Sequence, residues 1–168
     1  MEDISLINTL QRHKLKIIII IGAIIIIGLG GYLVYKTIYT HKTINYLKSQ
    51  NFEEKAEKVY SKYIDNGYKK TYYMYNLNTN EFSKDITINN KNSQEYIMLI
   101  YKEKTTKITY NYRDTKRCIL NQDGEYKNGN FKCIVNENKN CKTKCSKLLK
   151  LMKNFKKETE NNIKKINS

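Results

Sequence analysis

The chain of 168 residues has no proline and no tryptophan, two histidines, three arginines and seven glycines. Each scarcity narrows what it can do. Without proline and with so little glycine there is no collagen-like repeat, no stiff polyproline linker and no flexible Gly-rich tether. No Gly-rich phosphate loop is present. The two histidines, His13 and His41, flank an apolar run rather than lying in the part that would fold, so the side chain most often used as a base near neutral pH is missing there. Lys, Asp or Glu would have to serve instead. Asp85, Glu95, Asp114, Asp123 and Glu125 are scattered through apparent turns and strand ends, and Asp123-Gly124-Glu125 lacks the alternating oxygen ligands of a calcium loop. The expectation is a non-enzyme, with no catalytic, cofactor-binding or metal-binding residues and no cofactor.

Arginine is scarce while lysine is abundant: 31 basic residues include only Arg12, Arg113 and Arg117. Bidentate recognition of phosphates and guanine edges leans on arginine, so the net charge of +15 is poor support for nucleic-acid readout. Heavy use of Ile, Lys, Asn and Tyr is also what an AT-rich genome writes, which discounts the charge further. Fifteen tyrosines read first as fillers of half-buried strands in a chain poor in other aromatics.

What is present begins with a run without charge from Ile17 to Tyr35, IIIIIGAIIIIGLGGYLVY. At about 1.5 Å per residue it reaches roughly 28 Å, close to the hydrocarbon thickness of a bilayer. Tyr32, Tyr35 and Tyr39 sit at its far end and Lys14, Lys16 and Lys36 bracket it, as interfacial anchors do. A cleaved leader is the rival reading, but the apolar run is long for one, and an uncleaved anchor is preferred. The glycines Gly22, Gly28, Gly30 and Gly31 do not form a GxxxG face. Residues 1–16 are expected to form a short cytoplasmic N-terminus, 17–35 a transmembrane helix, and 40–168 an extracytoplasmic α+β domain.

That domain keeps a net charge of +13, since residues 1–16 and Lys36 each account for one positive charge of the +15. Apolar residues from Ile44 to Tyr63 recur at three- and four-residue steps and predict an amphipathic helix over 43–65, with a second start at Asn51 and Glu54, a pair that resembles a capping box, and a stop at Gly67. Short β-rich runs then follow around 72–77, 82–88, 95–102, 107–112, 116–120 and 130–135, separated by polar breaks that include 121–129. The segment from Thr143 to about Ile166 returns to helical spacing. The predicted fold class is α+β: membrane helix, amphipathic helix, antiparallel β-meander and a basic C-terminal helix.

Four cysteines, Cys118, Cys133, Cys141 and Cys145, all lie in this domain. Their spacing lacks the paired knuckles of a zinc ribbon and the C-x-x-C of a redox motif, so disulfides in an oxidising compartment are expected. Of three connectivities, Cys118–Cys133 across a loose hairpin with Cys141–Cys145 is preferred. The last segment carries nine lysines against Glu158 and Glu160. Lys147, Lys150, Lys153, Lys156 and Lys157 are candidates for contact with anionic lipid or wall polymer, although a helix packed on the sheet with solvated lysines reads as well.

Together these features predict a single-pass protein of the cell membrane, N-terminus inside and domain outside, with one integral span. It would act as a binding or assembly component at a cell or virion surface, with protein partners or anionic polymer. A pilin-like or secretion-machinery subunit is an alternative, and a cytoplasm-facing, membrane-tethered nucleic-acid binder or regulator is another. No N-x-[ST] acceptor is present among the many asparagines.

Overall fold

The computed structural model describes the backbone of residues 2–167 and the side chains of 16–167, so Arg12, His13 and Lys14 lie outside the described side chains. The chain divides into two compact units, Met1–Lys42 and Thr43–Ser168. The first unit is the greater part of helix α1 (Glu2–Ser49). Every large apolar side chain from Ile17 to Tyr35 is exposed, between 52% at Ile21 and 73% at Ile27. A helix that is apolar all round and exposed along that length suits a lipid environment. The stretch Lys16–Ser49 contains the one helix among the described residues long and apolar enough to cross a membrane, with a mean hydropathy of 2.8.

The second unit is α+β. It opens with the last turns of α1, where Thr43 and Leu47 are buried. These turns lead into eight strands: β1 (Glu53–Ala56), β2 (Val59–Asp65), β3 (Lys69–Asn76), β4 (Glu81–Asn90), β5 (Ser93–Lys102), β6 (Thr105–Asp114), β7 (Ile119–Lys127) and β8 (Asn130–Lys139). Helix α2 (Cys145–Asn167) closes the fold. The strands form one antiparallel meander in chain order, β1 to β8.

The helix predicted over 43–65 is corrected here, because α1 stops at Ser49 and the rest is β1 and β2. Asn51 is the stop rather than a second start. It adopts a left-handed φ of 61°, its N–H donates to the Lys48 carbonyl at 3.0 Å, and the Phe52 N–H donates to the Leu47 carbonyl at 3.0 Å. This is the paired closure of a Schellman cap, and asparagine is one of the few residues that tolerates the left-handed position. Glu54 belongs to β1 and accepts the Lys58 N–H. The run 116–120 followed by a break at 121–129 is also corrected. Residues 119–127 are a single strand, and the turn is confined to Asn128-Gly129, both at positive φ as a two-residue hairpin requires.

The register assigns each side chain to a face. Tyr60, Tyr75, Phe82, Tyr101, Thr106 and Tyr126 lie in one row across six strands. Thr71, Ile86, Ile97, Tyr110 and Gln122 form another row on the same face, with Tyr73, Lys84, Leu99, Ile108 and Gly124 between the two. This inner face is the core: Tyr75, Tyr110, Ile97 and Leu99 are at most 2% exposed, and Tyr75 stacks on Phe82. Helix α2 and the last turns of α1, from Thr43, lie on it. Phe52, just past α1, meets Tyr73 edge-on, and α2 inserts Leu148, Met152, Phe155, Thr159 and Ile166 at steps of three, four and seven residues. Each such apolar side chain removed from water contributes about 1.5–3 kcal/mol.

At Gly124 the side chain of Met152 on α2 comes close to the sheet. A Cβ there would stand 2.9 Å from Ile108 Cγ2 and 3.3 Å from both Met152 Sδ and Phe131 Cε2. Gly124→Ala is therefore expected to destabilise the domain by about 1–3 kcal/mol through overpacking, read as a lowered denaturation midpoint; an unchanged midpoint would contradict the close approach of α2.

Candidate functional site

The chemistry-bearing side chains converge where β5 to β8 meet the start of α2. Cys118 lies in the turn before β7, held by Asp114, whose Oδ1 accepts the N–H groups of Lys116 at 2.8 Å and Cys118 at 2.9 Å. It is bonded to Cys141, just beyond β8, with Cα atoms 5.2 Å apart. Cys133 of β8 is bonded to Cys145, the first residue of α2, with Cα atoms 5.9 Å apart. The chain has no free cysteine.

This pairing corrects Cys118–Cys133 and Cys141–Cys145. The tight turn at Asn128-Gly129 places Cys133 opposite Gly124, five positions from the start of β7 at Ile119, so the hairpin cannot join Cys133 to Cys118. The partners come from the segment that returns toward the sheet: Cys141 reaches back over the start of β7 and Cys145 reaches the middle of β8. The signal that was missed is Gln122, which continues the alternation Leu120, Gln122, Gly124 on the inner face through a stretch whose polarity mimics a loop.

Gln122 is 1% exposed. Its Oε1 accepts the Lys144 N–H at 2.9 Å, and its Nε2 faces Cys145 Sγ at 3.4 Å and Cys133 Sγ at 3.7 Å. The Lys144 carbonyl then accepts the first intrahelical bond, from the Leu148 N–H at 3.0 Å. A buried strand side chain thus supplies what a helix N-cap needs, satisfying one donor that the helix leaves unpaired.

Beside this junction lies a polar cluster. The Tyr110 hydroxyl donates to Glu95 Oε2 at 3.0 Å and accepts from Lys144 Nζ at 3.2 Å and Lys147 Nζ at 3.4 Å. Lys147 also forms an ion pair with Glu95, and Lys144 Nζ sits 3.7 Å from the centre of the Tyr112 ring. Burial works to raise the Glu95 pKa, but Lys147 and the Tyr110 hydroxyl prevail and hold it below the ordinary range. Burial and the neighbouring Glu95 charge push the Tyr110 hydroxyl far up. Burial, with the like charge of Lys147, lowers Lys144. The surroundings thus favour the carboxylate form of Glu95 and the neutral phenol form of Tyr110. The visible consequence of the cluster is to dock the first turn of α2 onto β5 and β6.

The five lysines proposed for anionic contact are split by the fold. Lys147 is engaged with Glu95 and Tyr110. Lys156 is half-buried beside Glu160, with its Nζ 5.4 Å from the centre of the Tyr126 ring. Lys153 is exposed and its Nζ lies 5.8 Å from that ring centre, while Lys150 and Lys157 face solvent. Farther along α2, Lys84 pairs with Glu158 at 2.8 Å and the Tyr101 hydroxyl donates to Glu160 at 3.3 Å.

Among the described residues no group of three His, Cys, Asp or Glu side chains is placed to hold a metal. A cavity of about 190 Å³ lies between the end of α1, α2 and β2 to β4, with Phe52, Tyr73, Phe82 and Phe155 among its walls. It is smaller than ordinary ligand pockets. No protein-family model matches the chain, and no curated protein or solved structure is detectably similar to it.

The disulfide assignment is directly testable. Proteolysis without reduction should release one cross-linked peptide pair joining Cys118 to Cys141 and another joining Cys133 to Cys145, identified by mass. A pair joining Cys118 to Cys133 would contradict the register of β7 and β8.

Proposed function

We propose that this chain is a single-pass membrane protein whose basic α+β domain lies outside the cytoplasm and works by binding or assembly rather than by catalysis. The observation that carries the reading is the pair of disulfides, which uses every cysteine in a domain that follows one candidate membrane helix. Such bonds persist in oxidising compartments and are rare where thiols are kept reduced. They support N-terminus inside and domain outside, and they weigh against a cytoplasmic nucleic-acid binder.

For the mode of action, support comes from how the polar groups are spent. Glu95, Tyr110, Lys144 and Lys147 bond chiefly to one another, and Gln122 is committed to the helix start. Contact with anionic lipid or wall polymer rests on the exposed Lys150, Lys153 and Lys157, because Lys147 and Lys156 are engaged within the domain. The pilin-like layout has less support. Its apolar run would begin at a Gly-then-Glu processing site, which the sequence before Ile17 lacks.

Labelling intact cells with a membrane-impermeant thiol reagent tests the reading. The expected result is no labelling of the full-length protein until an external reductant is added, then labelling of the four cysteines. Labelling that needs cell lysis but no reductant would place the domain in the cytoplasm and overturn the proposal.

A further inference from the structure

The two edges of the sheet are built differently. β1 has four residues, all exposed, an irregular register with β2, and the charged sequence Glu53-Glu54-Lys55. Short, bulged and charged edges resist pairing with another chain. β8 has ten residues and is paired on one side, to β7. It displays Ile134 at 45% and Val135 at 39% exposure, the exposed large aliphatic side chains of the domain among the described residues. A long edge strand with an apolar centre is a ready template for strand addition.

The pattern along β8 selects the partner. Gln122 pairs with Val135 while Asn121 pairs with Glu137, so Asn136 is an extra residue, a β-bulge. The bulge changes the alternation: Lys132, Ile134 and Glu137 lie opposite Glu125, Asp123 and Asn121, all on the face away from α2. An antiparallel two-fold axis through Ile134 then sets Ile134 against Ile134 of the partner subunit. Lys132 meets Glu137 of the partner subunit, and Glu137 meets Lys132 of the partner subunit. The bulge in each strand absorbs its own extra residue, so the three contacts fall on one face without a change of register. Within the chain Glu125, opposite Lys132, is turned to Lys107 at 3.8 Å, whereas Glu137 accepts from Asn121 Nδ2 at 2.9 Å and pairs with Lys139 at 3.1 Å, so Lys132 of the partner subunit adds a second cation to a carboxylate that still has acceptor sites.

We propose that β8 is a homodimer interface at which two copies join edge to edge, antiparallel about Ile134, with reciprocal Lys132 and Glu137 contacts. The interface is isologous, as a two-fold requires: the same strand is used by both copies and its charges are complementary to themselves. Opposite charges placed directly across a strand pair stabilise it, and like charges there destabilise it. The proposal gives a partner to the assembly reading above and rests on it. It does not depend on which side of the membrane the domain occupies.

The test is the dimerisation constant of the full chain in detergent, by sedimentation, with a charge swap. Lys132→Glu alone and Glu137→Lys alone should each weaken dimerisation by about tenfold, since each sets two like-charged pairs across the symmetric interface. The double variant Lys132→Glu/Glu137→Lys should restore it to within about threefold of the parent. Ile134→Lys should leave only monomer. Thermal unfolding of each variant checks the fold: Lys132 and Ile134 are exposed and their variants should unfold as the parent does, while Glu137→Lys, which also loses the Asn121 and Lys139 contacts, should lower the midpoint only slightly. A parent chain that stays monomeric at all concentrations, or a dimer indifferent to all three charge variants, would overturn the proposal. The topology experiment is read separately, so a cytoplasmic domain that still dimerises in this way would sink the placement and leave the interface standing.

Discussion

A sheet of eight strands paired strictly in chain order has two large faces and few elements to cover them, and the structure depends on how one face is closed. The rows of the inner face are mostly apolar or aromatic, from Tyr60 on β2 to Tyr126 on β7, with Thr71, Lys84, Thr106 and Gln122 among them. Unless it is covered, that surface has nothing to recommend it over the unfolded chain. The cover comes mainly from α2, whose buried stripe runs from Leu148 to Ile166, with the last turns of α1 contributing Thr43 and Leu47. The outer face stays half-exposed, with polar and charged side chains interspersed, as antiparallel sheets with one solvated side do.

The position of α2 on the sheet is fixed by tethers at its start. Cys133–Cys145 ties its first residue to β8, Cys118–Cys141 ties the segment before it to β7, and Gln122 bonds the backbone of Lys144 between them. The disulfide loops close only 12 and 23 residues. Even so, cross-links of this kind restrict the unfolded ensemble by a few kcal/mol, a useful sum for a domain of this size. The lysine-rich character of the helix takes on a double meaning here. Lys144, Lys147 and Lys156 hold their ammonium groups over the rings of Tyr110, Tyr112 and Tyr126, while Lys150 and Lys157 are solvated.

The sequence was most legible where periodicity was unambiguous. The apolar run Ile17–Tyr35, the strands from β3 to β6 and the closing helix follow from spacing alone. It was misleading where two periods coincide. Val59-Tyr60-Ser61-Lys62-Tyr63 satisfies a helical step as well as an alternating one, and only the left-handed cap at Asn51 decides between them. Asn51 with Glu54 imitates a helix start because asparagine serves both ends of a helix. The second half of β7 was hidden because its inward residues are Gln122 and Gly124, polar or absent side chains chosen to meet the helix rather than to fill a core. The cysteine pairing was hidden for the same reason, since α2 supplies both missing partners and its path over the sheet is a tertiary fact. The Glu95, Tyr110 and Lys147 cluster left no local signal, because its members are 15 and 37 residues apart along the chain.

The picture is of an exposed apolar helix followed by a domain in which the unusual basic charge is partly structural and partly surface. Its central claim is that α2 is core and not a free basic helix awaiting a surface. Hydrogen exchange of the full chain in detergent, read residue by residue, measures this most directly. The account predicts that amides from Leu148 to Thr159 exchange as slowly as those of β5 and β6 and lose protection together with β7 and β8 when the disulfides are reduced. Exchange of α2 at the rate of an isolated helix, over a sheet that remains protected, would contradict it.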